Sequence, residues 1–317
     1  MNTTPQLIQP DKCRGDGICV EICAKDVLEV RDGKASVIDG RTEHCIRCGQ
    51  CVAVCPHEAL GWSSEAPDQY EPIGRWSFSF EDLMSFLLAR RSVRNFSRRP
   101  VERATIDRVL EACATAPPAF PPHPTEIVVL DHGEDVDRLL EALVAGYEKF
   151  LGYFRNPLAR YMIRRKRGEE MFHALKSHVV GIVADDNLRY RERGVDRFIY
   201  GAPVVLLLHA NRWVAAYQTS VHVAATYGLL AAHSLGLGAT MIDVVPPILN
   251  NIDHELKRSY GIPEDNVVVS CLILGYPRFK YRRAVRRQLK SARYLREEPP
   301  HREASAPRHD HEPPDSG

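Results

Sequence analysis

Seven of the nine cysteines in this 317-residue chain lie between Cys13 and Cys55. The later four form the run Cys45-x2-Cys48-x2-Cys51-x3-Cys55-Pro56. Three thiolates at intervals of three residues wrap one iron–sulfur cluster, and a fourth after a longer step reaches a neighbouring cluster. A zinc site is the alternative, but zinc ligands usually form two Cys-x2-Cys pairs across a longer gap. The spacing therefore predicts iron–sulfur ligation.

The earlier run has the same spacing with one change, because Asp16 stands where the second cysteine belongs. With crossed ligation, the predicted ligands of cluster one are Cys13, Cys19 and Cys55 with Asp16 available, and those of cluster two are Cys45, Cys48, Cys51 and Cys23. A carboxylate oxygen holds iron less well than a thiolate in a sulfur-rich cluster. Three states of cluster one stay open: a four-iron cluster with Asp16 as a ligand, a three-iron cluster, or a site completed by water.

This cysteine-rich region resembles the two-cluster bacterial ferredoxins in both runs of ligands. The resemblance implies one-electron transfer at low potential through 4Fe-4S clusters, while Asp16 leaves a 3Fe-4S form of the first cluster open. It also implies that both clusters lie near the surface, where a partner can reach them.

The amino-acid composition narrows the classes of protein to which this chain can belong. Hydrophobic residues make up 44%, charged residues 26%, and the formal net charge is +1, which favours neither a nucleic-acid binder nor disorder. The first residues show no signal peptide, so a disulfide framework lacks its oxidising compartment and a cytoplasmic protein is predicted. The apolar stretch 221–242 contains two histidines, which favours a buried helix over a membrane span.

The chain divides into a small cysteine-rich domain at 1–60, a linker at 61–78 containing prolines and glycine, a larger domain at 79–290 and a polar tail at 291–317. The tail, above all 296–317, has too few apolar residues to fold and is predicted to be disordered. Within the small domain, two short strands are predicted around Asp32-Gly33.

The larger domain mixes helical and strand patterns without strict alternation, so its predicted fold class is α+β. A weak capping box at Ser79 and Asp82 predicts the first helix. The other predicted helices are 102–116, 136–150, 216–234 and 249–260, and the predicted strands are 127–130, 203–208 and 267–274. The glycine fingerprint of a dinucleotide-binding fold is absent.

Two basic clusters occur in this domain. Arg90, Arg91, Ser92 and Arg94 follow the first helix, and Arg282, Arg283, Arg286 and Arg287 follow the last strand. Guanidinium groups and a hydroxyl suit a phosphate dianion, although a solvated cationic helix end is an equal alternative on these residues alone. Two distant clusters of this kind could converge on one phosphate.

Four segments in register are similar to landmarks of the nitroreductase family. They are 90–96 (RRSVRNF), 111–117 (EACATAP), 231–238 (AAHSLGLG) and 275–277 (GYP). The resemblance implies a central mixed sheet flanked by helices and a homodimer with FMN at its interface. It places Arg90, Arg91, Ser92 and Arg94 at the flavin phosphate and ribityl chain, Arg283 and Arg287 at the phosphate, and the backbone from Gly238 to Asp243 near the flavin ring.

One stretch departs from the family pattern at 118–125, where Pro121 replaces the asparagine that usually bonds the flavin. Proline offers no side-chain donor. His123, at the position of the family's glutamine, is predicted to recover one contact.

The other cysteines, histidines and basic residues that were considered are predicted to have structural or surface roles. Cys113 and Cys271 are predicted to be inert core thiols, and His222 and His233 to be core histidines. The basic stretch from Arg155 to Arg167 is predicted to be a solvated helix face, with a docking surface for an acidic electron donor as the alternative. No catalytic acid or base is assigned.

The sequence thus predicts an FMN-dependent oxidoreductase with its own cluster domain. Electrons from a donor such as reduced ferredoxin would pass through the clusters to FMN, with direct reduction of FMN by NAD(P)H as the alternative, and then on to a nitroaromatic, quinone or activated alkene. The alternative is an electron carrier or assembly protein that has lost FMN. A zinc-stabilised regulator is the third hypothesis.

Overall fold

The computed structural model describes residues 7–61, 72–75, 77–119 and 121–295 of the chain. Most of the predicted linker and the tail from 296 onward lie outside the described residues, as does Phe120. In the cysteine-rich unit, strand β1 (Leu7–Ile8) pairs antiparallel with β4 (Leu60–Gly61), which brings the two ends of the unit together. Each cysteine run contains one short helix, α1 (Ile18–Glu21) or α2 (Gln50–Val54).

The predicted hairpin of the small unit is present. Strands β2 (Leu28–Arg31) and β3 (Lys34–Val37) pair around Asp32 and Gly33, which both have positive φ. An Asp-Gly pair suits such a turn because both residues tolerate the left-handed conformation.

The larger domain is built on a four-stranded sheet in the order β5-β6-β8-β7. The strands are β5 (Glu126–Leu130), β6 (Val204–Asn211), β7 (Gly238–Met241) and β8 (Asn266–Gly275). All pairings among these strands are antiparallel, and an isolated bridge between Ser92 and Ala239 adds a parallel element at the β7 edge. The predicted α+β class with a mixed sheet is confirmed.

Helices cover both faces of this sheet. They are α3 (Phe80–Ala89), α4 (Arg103–Ala114), α5 (Gly133–Arg155), α6 (Pro157–Arg167), α7 (Glu169–Ala174), α8 (Gly181–Arg193), α9 (Tyr217–Ser234), α10 (Val245–Asn251) and α11 (His254–Ser259). A π-helical stretch, Leu175–Val180, joins α7 to α8.

The side chains of β6 point alternately to the two faces of the sheet, and each face packs against its own layer of helices. Val205 and Leu207 belong to a core shared with α5, α8 and α10, whereas Leu206 and Leu208 belong to a core shared with α4 and α9. Successive side chains of a strand point to opposite faces, so a strand buried on both sides must be apolar throughout. The same reason makes β8 almost wholly buried.

Some predicted elements differ from the observed ones. The predicted helix 249–260 is two helices, α10 and α11, because Ile252 and Asp253 break the helical conformation between them. The apolar stretch 221–242 is a buried helix only as far as Ser234, and it continues into the short strand β7 after a turn at Gly236. Among the described residues, no helix is both long and apolar enough to cross a membrane.

Candidate functional site

The first set of cluster ligands comes together in the small unit. The Cys19 thiol has a raised pKa, caused first by burial and then by the nearby charges of Asp16, Cys13 and Cys55. These are the four residues predicted around cluster one, although Cys55 lies 42 positions from Cys13 in the sequence. The fold therefore places these four residues near one another, although no group of three or more His, Cys, Asp or Glu side chains in the described part of the chain is arranged to hold a single metal ion, and their ligation of a cluster stays a prediction.

The second set surrounds a separate small cavity. Cys23, Cys45, Cys48 and Cys51 line it together with Val27 and Ile46. None of the seven cysteines of the unit forms a disulfide. The backbone N–H groups of Val27 and Ala59 each donate to a cysteine four residues earlier, Cys23 and Cys55, at 3.4 Å. Such N–H···S bonds stabilise thiolate charge, so both sets suit iron–sulfur clusters.

Asp16 differs from Cys48, its counterpart in the second run, because both of its carboxylate oxygens have partners. Oδ1 accepts a hydrogen bond from the Ile18 backbone N–H at 3.1 Å. Oδ2 lies 3.3 Å from Nε2 of His57, two residues after Cys55. The sequence spacing gave no sign of this contact.

The larger domain holds its first basic cluster between two strand ends. The backbone N–H of Val93 donates to the Ala239 carbonyl of β7 at 3.2 Å. Farther along, the N–H of Ser97 donates to the Tyr276 carbonyl after β8 at 2.8 Å. Gly238 and Gly275 allow this close approach, since a Cβ on either would lie 2.7 Å from Val93 or Phe96 respectively. The segment that carries Arg90 to Arg94 is thereby fixed against the sheet.

A cleft of about 530 Å³ opens beside this segment. Its wall is rich in cations and contains no acidic side chain among its described lining residues; they are Ala89, Arg90, Arg91, Val93, Leu229, His233, Gly236, Leu237, Ala239, Pro277, Arg278, Phe279, Lys280 and Tyr281. The Nη1 atom of Arg90 is buried without a hydrogen-bond partner. A buried unpaired donor is costly, so this atom is suited to an anionic ligand.

One residue of the second basic cluster, Arg287, lies close enough to the cleft to affect Arg90. The pKa of Arg90 is lowered, first by burial and then by the positive charges of Arg91 and Arg287. Arg287 belongs to the exposed segment after β8, which has no regular secondary structure in the described part, residues 281–295. Mutually repelling guanidinium groups gain stability when a phosphate dianion binds among them. The cleft therefore fits the phosphate end of FMN.

His233, expected in the core, is half-buried in this cleft, and its ring centroid lies 4.9 Å from that of Phe86. Its pKa is lowered, first by burial and then by the charge of Arg90. His222, also expected in the core, is exposed on the same helix. Eleven residues separate the two along α9, which is about three turns, so they lie on one side of the helix, and Phe86 packs beside His233 alone.

His123 does not reach this cleft within one chain. It precedes β5, whose first residue, Glu126, is in register with His209 and through it with Val268 of β8. Gly238 is in register with Gly275, seven residues farther along β8, or roughly 23 Å away. The neighbouring Ala119 bonds to Ser220 in the first turn of α9, whereas His233 lies in its last turn.

Comparison with known proteins identifies both parts of the chain. A model of the nitroreductase family matches residues 87–276, more than half of the sequence. The chain belongs to the nitroreductase family. A model described as a 4Fe-4S dicluster domain matches residues 6–56 of this family member.

Individual relatives agree with this assignment. A Methanothermobacter thermautotrophicus protein assigned provisionally as an NADH dehydrogenase/NAD(P)H nitroreductase is 24% identical over 62% of this chain and 78% of its own. Ferredoxin-3 of Desulfocurvibacter africanus is 57% identical over 28 residues, 9% of this chain and 46% of its own. A Bacteroides fragilis nitroreductase crystallised with FMN shares the fold, with a TM-score of 0.52, 18% identity, and coverage of 68% of this chain and 99% of its own.

The remaining predicted site residues of this nitroreductase-family protein, Ser92, Arg94 and Arg283, are not among the residues that line the cleft. Ser92 is exposed and forms the bridge to β7, and the Arg94 guanidinium lies 5.7 Å from the Tyr200 ring centroid. Arg283 is exposed on the segment that also carries Arg287. Arg278 and Lys280 were missed as cleft residues, although their position directly after 275–277 (GYP) was an available signal.

The two cysteines outside the cluster unit are core thiols, as predicted. Cys113 is buried between α4 and α9, and burial raises its pKa to about 11. Cys271 is fully buried in β8, and burial raises its pKa still further. A thiol that stays protonated is a poor nucleophile and a poor metal ligand.

Proposed function

We propose that this protein is an iron–sulfur flavoprotein in which two clusters supply electrons to FMN bound in the arginine cleft. The observation that carries the proposal is the convergence of Arg90, Arg91 and Arg287 at a cleft with a buried, unpaired Arg90 Nη1. When bound, FMN accepts electrons one at a time and delivers a hydride to an electron-poor substrate. Reduced ferredoxin or NAD(P)H is the proposed donor, and the proposed location is the cytoplasm.

The side chains of the cleft have binding and orienting roles in this proposal. Arg90, Arg91 and Arg287 hold the phosphate, and Arg278 and Lys280 add positive charge at the rim. Burial and the charge of Arg90 lower the pKa of His233, which favours a neutral ring that offers a hydrogen-bonding nitrogen without adding charge. The absence of an assigned acid or base agrees with chemistry carried by the cofactor, and nitroaromatics, quinones and activated alkenes are the proposed substrates.

Anaerobic purification with FMN, iron and sulfide counted per chain tests this function. We expect stoichiometric FMN and an iron content that corresponds to two clusters. The second candidate, an electron carrier or assembly protein without FMN, is favoured by Pro121 in place of the flavin-bonding asparagine. Protein with full clusters, no flavin absorbance and no uptake of added FMN would establish that candidate instead.

A homodimer is part of the proposal because His123 lies at the far end of the sheet from the cleft of its own chain. The Nε2 atom of His123 is buried without a hydrogen-bond partner, and burial lowers the pKa of the ring. We infer that His123 of the partner subunit contacts the flavin. The same homodimer would place two copies of the cluster unit in one assembly.

Mixed dimers test this arrangement. Chains carrying Arg90→Ala and chains carrying His123→Ala are co-expressed with different tags, and the mixed dimer is isolated. If each flavin site uses Arg90 from one subunit and His123 from the other, one of the two sites is intact and half of the tight FMN binding returns. If both residues act within one chain, neither site is intact and no binding returns.

For cluster one, we propose a three-iron cluster held by Cys13, Cys19 and Cys55. The support is that Asp16 already has partners in Ile18 and His57. Asp16→Cys is then expected to convert the three-iron spin-resonance signal into a four-iron signal with added iron. His57→Ala is also expected to convert part of the three-iron signal into a four-iron signal. His44→Ala, beside Cys45, serves as the control. An unchanged spectrum in Asp16→Cys would falsify a role for Asp16.

A further inference from the structure

Helix α6 carries a strongly one-signed charge on the surface of the larger domain. From 155 to 168 the chain contains six cationic side chains and no acidic one; they are Arg155, Arg160, Arg164, Arg165, Lys166 and Arg167. Within the described part of the chain, Arg164 alone of these six has an internal partner, with its Nε 3.4 Å from Glu169 and its guanidinium over the Phe172 ring. The other five form no ion pair with a described acidic side chain, so their charge faces solvent.

An apolar stripe runs along the outer face of the same helix. Leu158, Tyr161 and Met162 follow helical spacing on one side, and their exposed fractions are 70%, 55% and 40%. The opposite side carries Ala159 and Ile163, which are half-buried where α6 packs against α5 and α7. The stripe therefore has no packing role within the chain.

The local sequence fixes this helix in place. Asn156 caps it by accepting hydrogen bonds from the backbone N–H groups of Leu158 and Ala159, at 2.9 and 3.2 Å. Pro157 occupies the first turn, where a missing N–H costs nothing. Cations in the last turn stabilise a helix end through its dipole, but this accounts neither for Arg155 and Arg160 nor for the apolar stripe.

We propose that α6 is a docking surface for an anionic lipid membrane, on which the helix lies parallel to the surface. Apolar side chains on one face with lysine and arginine beside them are the composition of helices that lie in a membrane interface. Lys166 lies beside the stripe and Arg165 continues its line, so these two exposed basic side chains can reach lipid phosphates while the stripe enters the acyl boundary. A membrane site fits α6 better than an acidic protein because the stripe projects outward and forms no groove.

Vesicle sedimentation of the cofactor-loaded full chain tests the proposal. The probes are vesicles of phosphatidylcholine alone and of phosphatidylcholine mixed with phosphatidylglycerol. We expect the bound fraction to be at least about tenfold higher on the anionic vesicles and to fall as salt is raised from 0.1 M to 1 M, because screening shortens the reach of the charges.

Two variants separate the charge from the apolar stripe. Arg165→Gln/Lys166→Gln removes two charges, and Leu158→Ser/Tyr161→Ser removes the two most exposed apolar side chains of the stripe at constant charge. Each is expected to reduce binding to anionic vesicles at least about fivefold. The matched controls are Arg108→Gln/Arg258→Gln, exposed on α4 and α11, and Trp213→Ser, which is 78% exposed. Both controls are expected to bind like the unmodified chain.

Three outcomes would overturn the proposal: no binding to anionic vesicles, equal loss in the control variants, or binding that the α6 variants do not change. If the unmodified chain does not bind the vesicles and the α6 variants change the mass of the assembly in sedimentation, α6 is a contact between copies of the chain. If they only weaken electron transfer from an acidic donor protein, the surface is a protein site. Iron and flavin contents that match the unmodified chain confirm that each variant is folded.

Discussion

The cluster unit and the arginine cleft achieve cofactor binding in different ways. All eight candidate cluster ligands come from 43 consecutive residues, and their spacing largely determines which of them meet. The cleft instead combines Arg90 with Arg287, almost 200 residues later, and with His233 on a third segment. Local spacing suffices for a small metal unit, whereas an organic cofactor site depends on the packing of a whole domain.

The two regions also differ in what keeps their functional atoms in place. In the cluster unit the metal itself contributes to folding, since a unit of this size buries little apolar surface. In the cleft, the sheet and its two apolar layers hold Arg90 before any ligand binds. Variants of the first region should therefore change metal content, and variants of the second should change ligand affinity while metal content stays constant.

The largest expected effect is the loss of a cluster. Cys51→Ser removes one thiolate of cluster two, and we expect iron and sulfide per chain to fall by about half while FMN binding is kept. Cys113→Ala is the control, since Cys113 is buried in the larger domain. Loss of flavin together with iron would show that the two regions do not fold independently.

A smaller effect is expected in the cleft. Arg90→Ala removes a charged donor with a buried unpaired nitrogen, which should weaken FMN binding by about 1.5–3 kcal/mol, or roughly ten- to a hundredfold in Kd. Flavin fluorescence titration measures it, with Arg108→Ala as the control on an exposed face of α4. Unchanged affinity would place the flavin phosphate elsewhere.

A third prediction concerns the packing that positions Arg90. Gly238→Ala would place a Cβ 2.7 Å from Val93, so we expect the free energy of unfolding to fall by about 1–3 kcal/mol. Gly133→Ala is the matched control, because a Cβ there meets nothing within 4 Å. Denaturant unfolding followed by circular dichroism measures both. Equal effects in the two variants would remove Gly238 as a spacer for the basic segment.

The smallest effect is a pH dependence of the larger domain. Burial lowers the pKa of His209, which bonds to Asn266 at 2.8 Å, so below about pH 6.5 the unfolded chain binds a proton that the native chain excludes. The free energy of unfolding should therefore decrease as the pH is lowered through this window, by at most about 1.4 kcal/mol per pH unit from this group. His209→Asn should flatten that slope, whereas His222→Asn should not. Identical slopes in both variants would contradict the assignment.

The sequence predicted those parts of the fold whose signals lie within a short segment of the chain. The cluster ligands, the hairpin at Asp32 and Gly33 and the capped start of α3 were all visible in short segments. The short strand β7 was not predicted, since apolar residues continue from α9 into it, and the separation of α10 from α11 was missed although Asp253 caps α11 by accepting from the Leu256 N–H. In a fully buried segment, periodicity does not distinguish helix from strand.

The sequence by itself determined the two cysteine runs, the substitution of Asp16 and the family landmarks around Arg90. Spacing and residue type are enough for these, because the ligands are close in the chain. Only the tertiary structure decided that His57 contacts Asp16, that His233 faces the cleft and that His123 lies at the opposite end of the sheet. These relations depend on strand register and helix packing between distant segments, which no local pattern contains.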